Sequence, residues 1–204
     1  MNINKDLVSS VKGFLDEDEG RCLYEIALKA CSLGPCLEIG SYCGKSTLYL
    51  GCGIKQADGQ LFALDHHRGS EEHQLGEEYH DPELFDATLQ RMDSLPAFRA
   101  TLSKAELEDH VVPVIASSAQ AGRYWQIPLG MVFIDGGHSM EAALTDYRTW
   151  VRHLLPGGYL AIHDIFEDPS DGGQAPYTIF QYAQASGQFE RLPMTKTLGV
   201  LRRL

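Results

Sequence analysis

The chain has 204 residues, 44% of them hydrophobic, which suits one α/β domain with a sizeable core. Its formal net charge of −11 argues against a sequence-independent grip on nucleic acid or on an anionic membrane surface. Met1–Lys5 carries no apolar signal core and no run reaches the roughly 18 apolar residues of a membrane span, so neither secretion nor insertion is expected.

Cys22, Cys31, Cys36, Cys43 and Cys52 are odd in number and lack C-x-x-C spacing. They read as reduced core thiols of a cytoplasmic protein rather than as a zinc site or a disulfide frame. No internal repeat or linker divides the chain, so residues 1–204 are expected to form a single domain. Within it, residues 1–34 read as an arm and helix, and residues 66–94 as a lid insertion.

Asp16 and Glu19 have capping-box spacing and open a helix whose apolar face is Leu23, Ile26, Ala27 and Ala30, ending near Gly34. Cys36–Ile39 is a short buried strand. It leads into Gly40-Ser41-Tyr42-Cys43-Gly44 and a helix starting at Lys45-Ser46, with Leu48, Leu50 and Ile54 facing inward. The second strand, Gln60–Leu64, ends at Asp65, 25 positions past Gly40. An acidic residue there suits ribose hydroxyls, or else caps the strand end. His66 follows it directly and is expected near the same ligand. The stretch from His66 to Pro82 holds His66, His67, His73 and His80 among glutamates. It reads as a solvated lid, although such a cluster also has metal-binding donors. Phe85–Leu107 is helical in pattern, divided by Pro96.

The third strand, Val111–Ile115, contains Pro113, which places it at a sheet edge. Ser117 and Ser118 follow, and are read equally well as helix caps. The fourth strand, Met131–Ile134, delivers Asp135-Gly136-Gly137-His138 at its carboxyl end, where open α/β sheets bind ligands. Ala142, Ala143, Tyr147, Val151 and Leu154 give a helix stopping at Pro156-Gly157-Gly158. The fifth strand, Tyr159–Ile162, ends in His163-Asp164, so on parallel strands the two tips lie about 5 Å apart. A second lid (Ile165–Ala175), a helix (Tyr177–Ala185) and two strands (Phe189–Leu192, Leu198–Leu201) close the chain.

The glycine turn after the first strand admits several readings. As a phosphate-binding P-loop it lacks the first glycine, because position 39 is Ile39. As a dinucleotide fingerprint it has Tyr42 in place of the middle glycine. A strand–turn–helix without ligand is also compatible. The remaining reading is E-x-G-x-x-x-G, with Glu38 facing an ammonium rather than a pyrophosphate. Leu37-Glu38-Ile39-Gly40-Ser41-Tyr42-Cys43-Gly44-Lys45-Ser46 resembles this turn in the catechol and caffeoyl-CoA O-methyltransferases. Together with Ile134-Asp135-Gly136-Gly137-His138, the chain from about Asp16 to Leu204 is similar to the bacterial class I S-adenosylmethionine-dependent methyltransferases.

The resemblance implies a Rossmann-like α/β fold: a seven-stranded, mostly parallel sheet with helices on both faces and an antiparallel last strand. It implies S-adenosylmethionine as cofactor, bound by Glu38, Gly40, Ser41, Tyr42, Gly44, Ser46, Asp65, His66, Asp135 and Gly136, with Ser117 and Ser118 at the adenine. It places His138 where the related enzymes carry a lysine general base; a cap or cofactor contact is the alternative role. It maps their divalent-metal ligands onto Asp135, His163 and Asp164, for Mg²⁺ or another cation, with His163 and Asp164 otherwise an acid/base pair. The expected partner is a hydroxylated small-molecule acceptor, with an N- or S-methyltransferase and a non-catalytic cofactor-binding protein as the other readings. The family also suggests a homodimer through the N-terminal helix.

Overall fold

The computed structural model describes residues 3–70 and 81–204. In chain order the elements are α1 (Lys5–Ser10), α2 (Glu17–Ala30), β1 (Cys36–Ile39), α3 (Lys45–Gln56), β2 (Leu61–Leu64), β3 (Phe85–Asp86), β4 (Arg91–Met92), α4 (Leu95–Lys104), β5 (Val111–Val114), α5 (Ser118–Ala121), β6 (Leu129–Ile134), α6 (Met140–Trp150), β7 (Leu154–Ile162), α7 (Ala175–Ala185), β8 (Phe189–Arg191) and β9 (Gly199–Arg203). Seven strands form one sheet in the order β5-β2-β1-β6-β7-β9-β8. β5, β2, β1, β6 and β7 run parallel, and β9 is antiparallel to both β7 and β8. β5 is an edge strand, where the missing amide of Pro113 costs no ladder bond.

The chain winds outward in both directions from the β1–β6 pair, so the ends of these two strands form a topological switch point. Alternation along each strand sorts the core into two layers. Cys36, Leu61, Ala63, Met131, Phe133, Ala161 and Val200 face the layer that holds Leu23, Leu48, Leu50 and Phe98 of α2, α3 and α4. Leu37, Ile39, Val132, Ile134, Leu160 and Ile162 face the layer of Trp150, Ile179 and Phe180. The same period puts Glu38, Asp135 and His163 on the α2–α3 side.

Two expected elements differ. The stretch 85–94 is not helical: Phe85 and Asp86 pair with Met92 and Arg91 as a small antiparallel ribbon. Gln90, at φ 52°, makes its turn. Pro96 therefore starts α4 rather than breaking a longer helix, because its missing N–H is harmless in the first turn. α6 ends at Trp150, and β7 begins at Leu154, running through Pro156–Gly158 with a shift of register against β6.

Candidate active site

The glycine turn is built by close backbone approach. Gly40 has φ 87° and donates to the Leu64 carbonyl at 2.9 Å. A Cβ at Gly40 would lie 2.1 Å from the carbonyl oxygen of Asp135, so no other residue lets β1 and β6 end side by side. Gly44, at φ 93°, closes the turn by donating to the Ser41 carbonyl at 2.7 Å and begins α3. Asp65 ties the turn to β2. Its Oδ2 accepts from the Tyr42 amide at 2.8 Å and its Oδ1 from the His67 amide at 2.7 Å. Ser41 is buried, and its hydroxyl has no hydrogen-bond partner among the described residues.

Glu38 does not face this turn. It is fully buried, and its two oxygens accept from Ser46 Oγ and Thr47 Oγ1, both at 2.6 Å. The expectation that Glu38 meets a ligand ammonium and that Ser46 touches cofactor is corrected: the pair locks β1 onto α3. Burial pushes the Glu38 carboxyl up to about 8, against the two hydroxyl bonds that favour its charged form. That shift favours the neutral acid at neutral pH.

The second half of the site lies at the tips of β6 and β7. Register pairs Ile134 with Ile162, so Asp135 and His163 are lateral neighbours. His163 is buried and its ring meets carboxylates on both sides. Nδ1 is 3.1 Å from Asp135 Oδ1 and 3.4 Å from Asp164 Oδ1; Nε2 is 3.0 Å from Glu19 Oε2. Burial alone would lower the imidazole, but Asp135, Asp164 and Glu19 override it and raise it to about 12. Both ring nitrogens of His163 are therefore engaged by carboxylates, which favour its charged form. The donor atoms that converge near it belong to Asp135, His138 and Asp164, so the geometry gives the expected place of His163 among metal ligands to His138.

Asp164, at φ 57°, sits in the left-handed region, which turns its carboxylate between the two histidines. Its Oδ2 is 3.2 Å from His138 Nε2. Burial would raise Asp164, yet the bonds from His138 and His163 hold it well below the usual carboxylate range. Asp135 goes the other way: burial raises it, only partly opposed by His163. One ligand atom each from Asp135, His138 and Asp164 lies within 4.8 Å of the others, and among the described residues these three form a cluster that can converge on a cation.

At the end of β5, Ser117 caps α5 with Gln120 in a capping box. Ser118 is buried and accepts from Trp150 Nε1 at 2.9 Å. It also bonds Asp146, whose carboxyl burial pushes up to about 6. The Ser118 side chain is therefore committed to the core beneath Gly136, whose missing Cβ leaves room for Asp146. His66 is exposed, with Nδ1 accepting from the Arg68 amide at 3.1 Å.

Around the mouth, Lys45 Nζ donates to the Gly13 carbonyl at 3.0 Å, holding the N-terminal arm across the start of α3. Lys12 pairs with Asp81 at 2.5 Å and with Glu83 at 2.6 Å, joining that arm to the inserted segment. Of the histidine cluster expected in the lid, His73 and His80 fall outside the described residues. His67 is buried, not solvated; its Nδ1 lies 2.8 Å from Ser94 Oγ.

Four participants were not singled out from sequence for these roles: Glu19, Thr197, Asp146 and His67. Glu19 was legible only as the third helical residue of a capping box. Its distal partners are 144 and 178 positions away, and no local pattern reports them.

A family model described as a methyltransferase domain matches residues 37–165, well over half of the chain. The chain belongs to this methyltransferase family, and its fold and activity class are those of the class I S-adenosylmethionine-dependent enzymes. Among solved structures it is similar to an O-methyltransferase from Bacillus cereus in complex with S-adenosylhomocysteine, at 16% identity, TM-score 0.62 and coverage of 97% of this chain and 88% of that one. It is similar to the O-methyltransferase NovP at 16% identity and TM-score 0.69, over 91% of this chain and 79% of the other. It is also similar to an rRNA methylase from Streptococcus thermophilus at 13% identity and TM-score 0.59, over 94% and 99%. At these identities the likenesses show the fold, and the acceptor has to be argued from the site.

Proposed function

We propose that the chain methylates a hydroxyl of a small molecule, with His138 as the base that takes the hydroxyl proton. The observation that carries this is the His138–Asp164 pair at the strand tips, beside the glycine turn. The turn fits S-adenosylmethionine: Ser41 offers a buried hydroxyl in need of a partner, Gly40 keeps the backbone bare, and Asp65 retains lone pairs for ribose hydroxyls. Gly40–Gly44 and Asp65 are the residues that would hold it, with His66, Gly136 and Ser117 at the rim. The cofactor supplies an activated sulfonium methyl.

The protein's own part is orientation and proton transfer. With Nε2–H donated to Asp164, the lone pair of His138 lies on Nδ1, the tautomer a general base requires. Asp164 stays ionised and stabilises the imidazolium once His138 takes the proton. Asp135, next to Gly40 through its backbone, brings the acceptor side against the cofactor side.

A second reading has its own observation. Asp135, His138 and Asp164 have the donor types and spacing to hold one divalent cation, which would lower an acceptor hydroxyl's pKa. His138 would then be a ligand and not the base. A site of this kind would also serve an amine or thiol. A net charge of −11 favours a small acceptor over RNA, and the five free cysteines favour the cytoplasm. No helix among the described residues is long and apolar enough to cross a membrane.

The test is turnover of radiolabelled S-adenosylmethionine with catechols, aliphatic alcohols, amines and thiols, each with Mg²⁺ and with EDTA. Methylation of hydroxyls that survives EDTA supports His138 as base. Methylation abolished by EDTA and restored by Mg²⁺ transfers His138 to the metal. Methylation of amines or thiols alone refutes the hydroxyl assignment.

A further inference from the structure

Glu19 belongs to the N-terminal helix, yet it is the most heavily engaged carboxylate near the site. It is buried, with 3% exposure. Oε1 accepts from the Thr197 amide at 2.9 Å and from Thr197 Oγ1 at 2.7 Å; Oε2 accepts from His163 Nε2 at 3.0 Å and from the Asp16 amide at 3.3 Å. A capping-box glutamate needs only the last of these and works at the surface. Burying a carboxylate costs several kcal/mol or more unless it is fully bonded, so its other three bonds call for a reason.

We infer that Glu19 is a positioning residue for methyl transfer, acting on His138 through His163 and Asp164. The catalytic part rests on the proposed function; the arrangement itself does not. Glu19 pins one edge of the His163 ring and so fixes the other edge against Asp135 Oδ1 and Asp164 Oδ1. With those oxygens held, Asp164 presents Oδ2 to His138. The path runs through four side chains in contact: Glu19, His163, Asp164 and His138. It also makes α2 part of the site. Thr197 links the same carboxylate to the β8–β9 turn, and the Thr197 carbonyl accepts from the Ile165 amide at 2.9 Å just beyond Asp164. A carboxylate that only secured this turn would not need His163.

E19Q on the full chain separates the two roles. Its amide can keep a carbonyl toward Thr197 but turns an NH₂ group toward the His163 ring, so the carboxylate's hold on that ring edge is lost. The ¹⁵N ring signals of His163, assigned by their loss in H163N, should shift in E19Q because the ring loses its anchor at Nε2. With catechol as acceptor, kcat of E19Q should fall at least about tenfold while the KM for S-adenosylmethionine stays within about twofold. T197V removes one of the two Thr197 bonds to Glu19 but leaves the His163 contact, so its kcat should fall less than that of E19Q. E19D, charged but too short to serve both partners, covers the case in which E19Q does not fold, and should lose kcat partially. Unchanged kcat in E19Q or E19D overturns the inference, as does an equal loss in T197V or His163 ring signals that stay in place in E19Q. Wild type that binds no S-adenosylhomocysteine would instead sink the cofactor pocket, leaving the resonances to decide the arrangement of Glu19.

Discussion

Glu38 is fully enclosed between β1 and α3, and the prediction concerns its charge. Its carboxyl is raised from an ordinary 4.5 to about 8 in the folded chain. A folded-state value above the unfolded one means that the native state holds the proton more tightly. Stability from this group is therefore complete below the unfolded value and is lost as pH rises toward the folded value. Each unit of pKa difference corresponds to about 1.4 kcal/mol, so between pH 5 and pH 8.5 wild type should lose about 4 kcal/mol through Glu38 alone. Glu38→Gln removes the titration and keeps the shape. Its amide oxygen can accept from one of the two hydroxyls that now donate to Glu38, and its NH₂ can donate to the other, which rotates to accept. Urea unfolding of both proteins at pH 5 and pH 8.5 tests this. The difference in unfolding free energy should shift toward the variant by about 4 kcal/mol at the higher pH. A difference that stays constant with pH would refute the assignment of a neutral buried acid.

Two further outcomes follow from the site. Ser41→Ala removes a buried hydroxyl without a partner, which costs the ligand-free protein about 1–3 kcal/mol, so it should raise the melting temperature while weakening S-adenosylhomocysteine binding about tenfold. Equal or tighter binding would remove Ser41 from the pocket. His138→Ala should lower turnover by about 10² or more with S-adenosylhomocysteine affinity unchanged, as calorimetry and rate measurements on the same preparation would report. Residual activity near the wild-type level would deny His138 the role of base.

The sheet was legible because its strands carry their own punctuation. Pro35 precedes Cys36–Ile39, Asp65 follows Leu61–Leu64, and Gly-Gly-His follows Asp135, so each strand of the site could be bounded from local sequence. The capping box of Asp16 and Glu19 placed α2 correctly. What misled was mimicry of period. Phe85, Leu89 and Met92 fall at helical spacing, yet Leu89 is half exposed at the tip of a ribbon and only Met92 is buried. Val151 and Leu154 continue the α6 stripe, but the backbone has already become 3₁₀ and then strand.

At the strand ends, residue type and place were legible in the sequence but side-chain direction was not. Strand alternation could have shown that Glu38, Asp135 and His163 point to the α2–α3 side. Their partners there, Ser46 and Thr47 for one and Glu19 for another, are set by tertiary packing. For the same reason His163 was expected among the metal ligands. The sequence puts it beside Asp164, but not against Asp135 on the next strand or Glu19 from the opposite end of the chain, which together take up both ring nitrogens.

The central claim is that the turn from Gly40 to Gly44, with Asp65 and Ser41, is an S-adenosylmethionine pocket. Calorimetric titration of the purified protein with S-adenosylhomocysteine, with NAD as the control, tests it most directly. One-to-one binding in the micromolar range with no heat from NAD is the predicted result. Saturable NAD binding, or no S-adenosylhomocysteine binding with or without Mg²⁺, would contradict it.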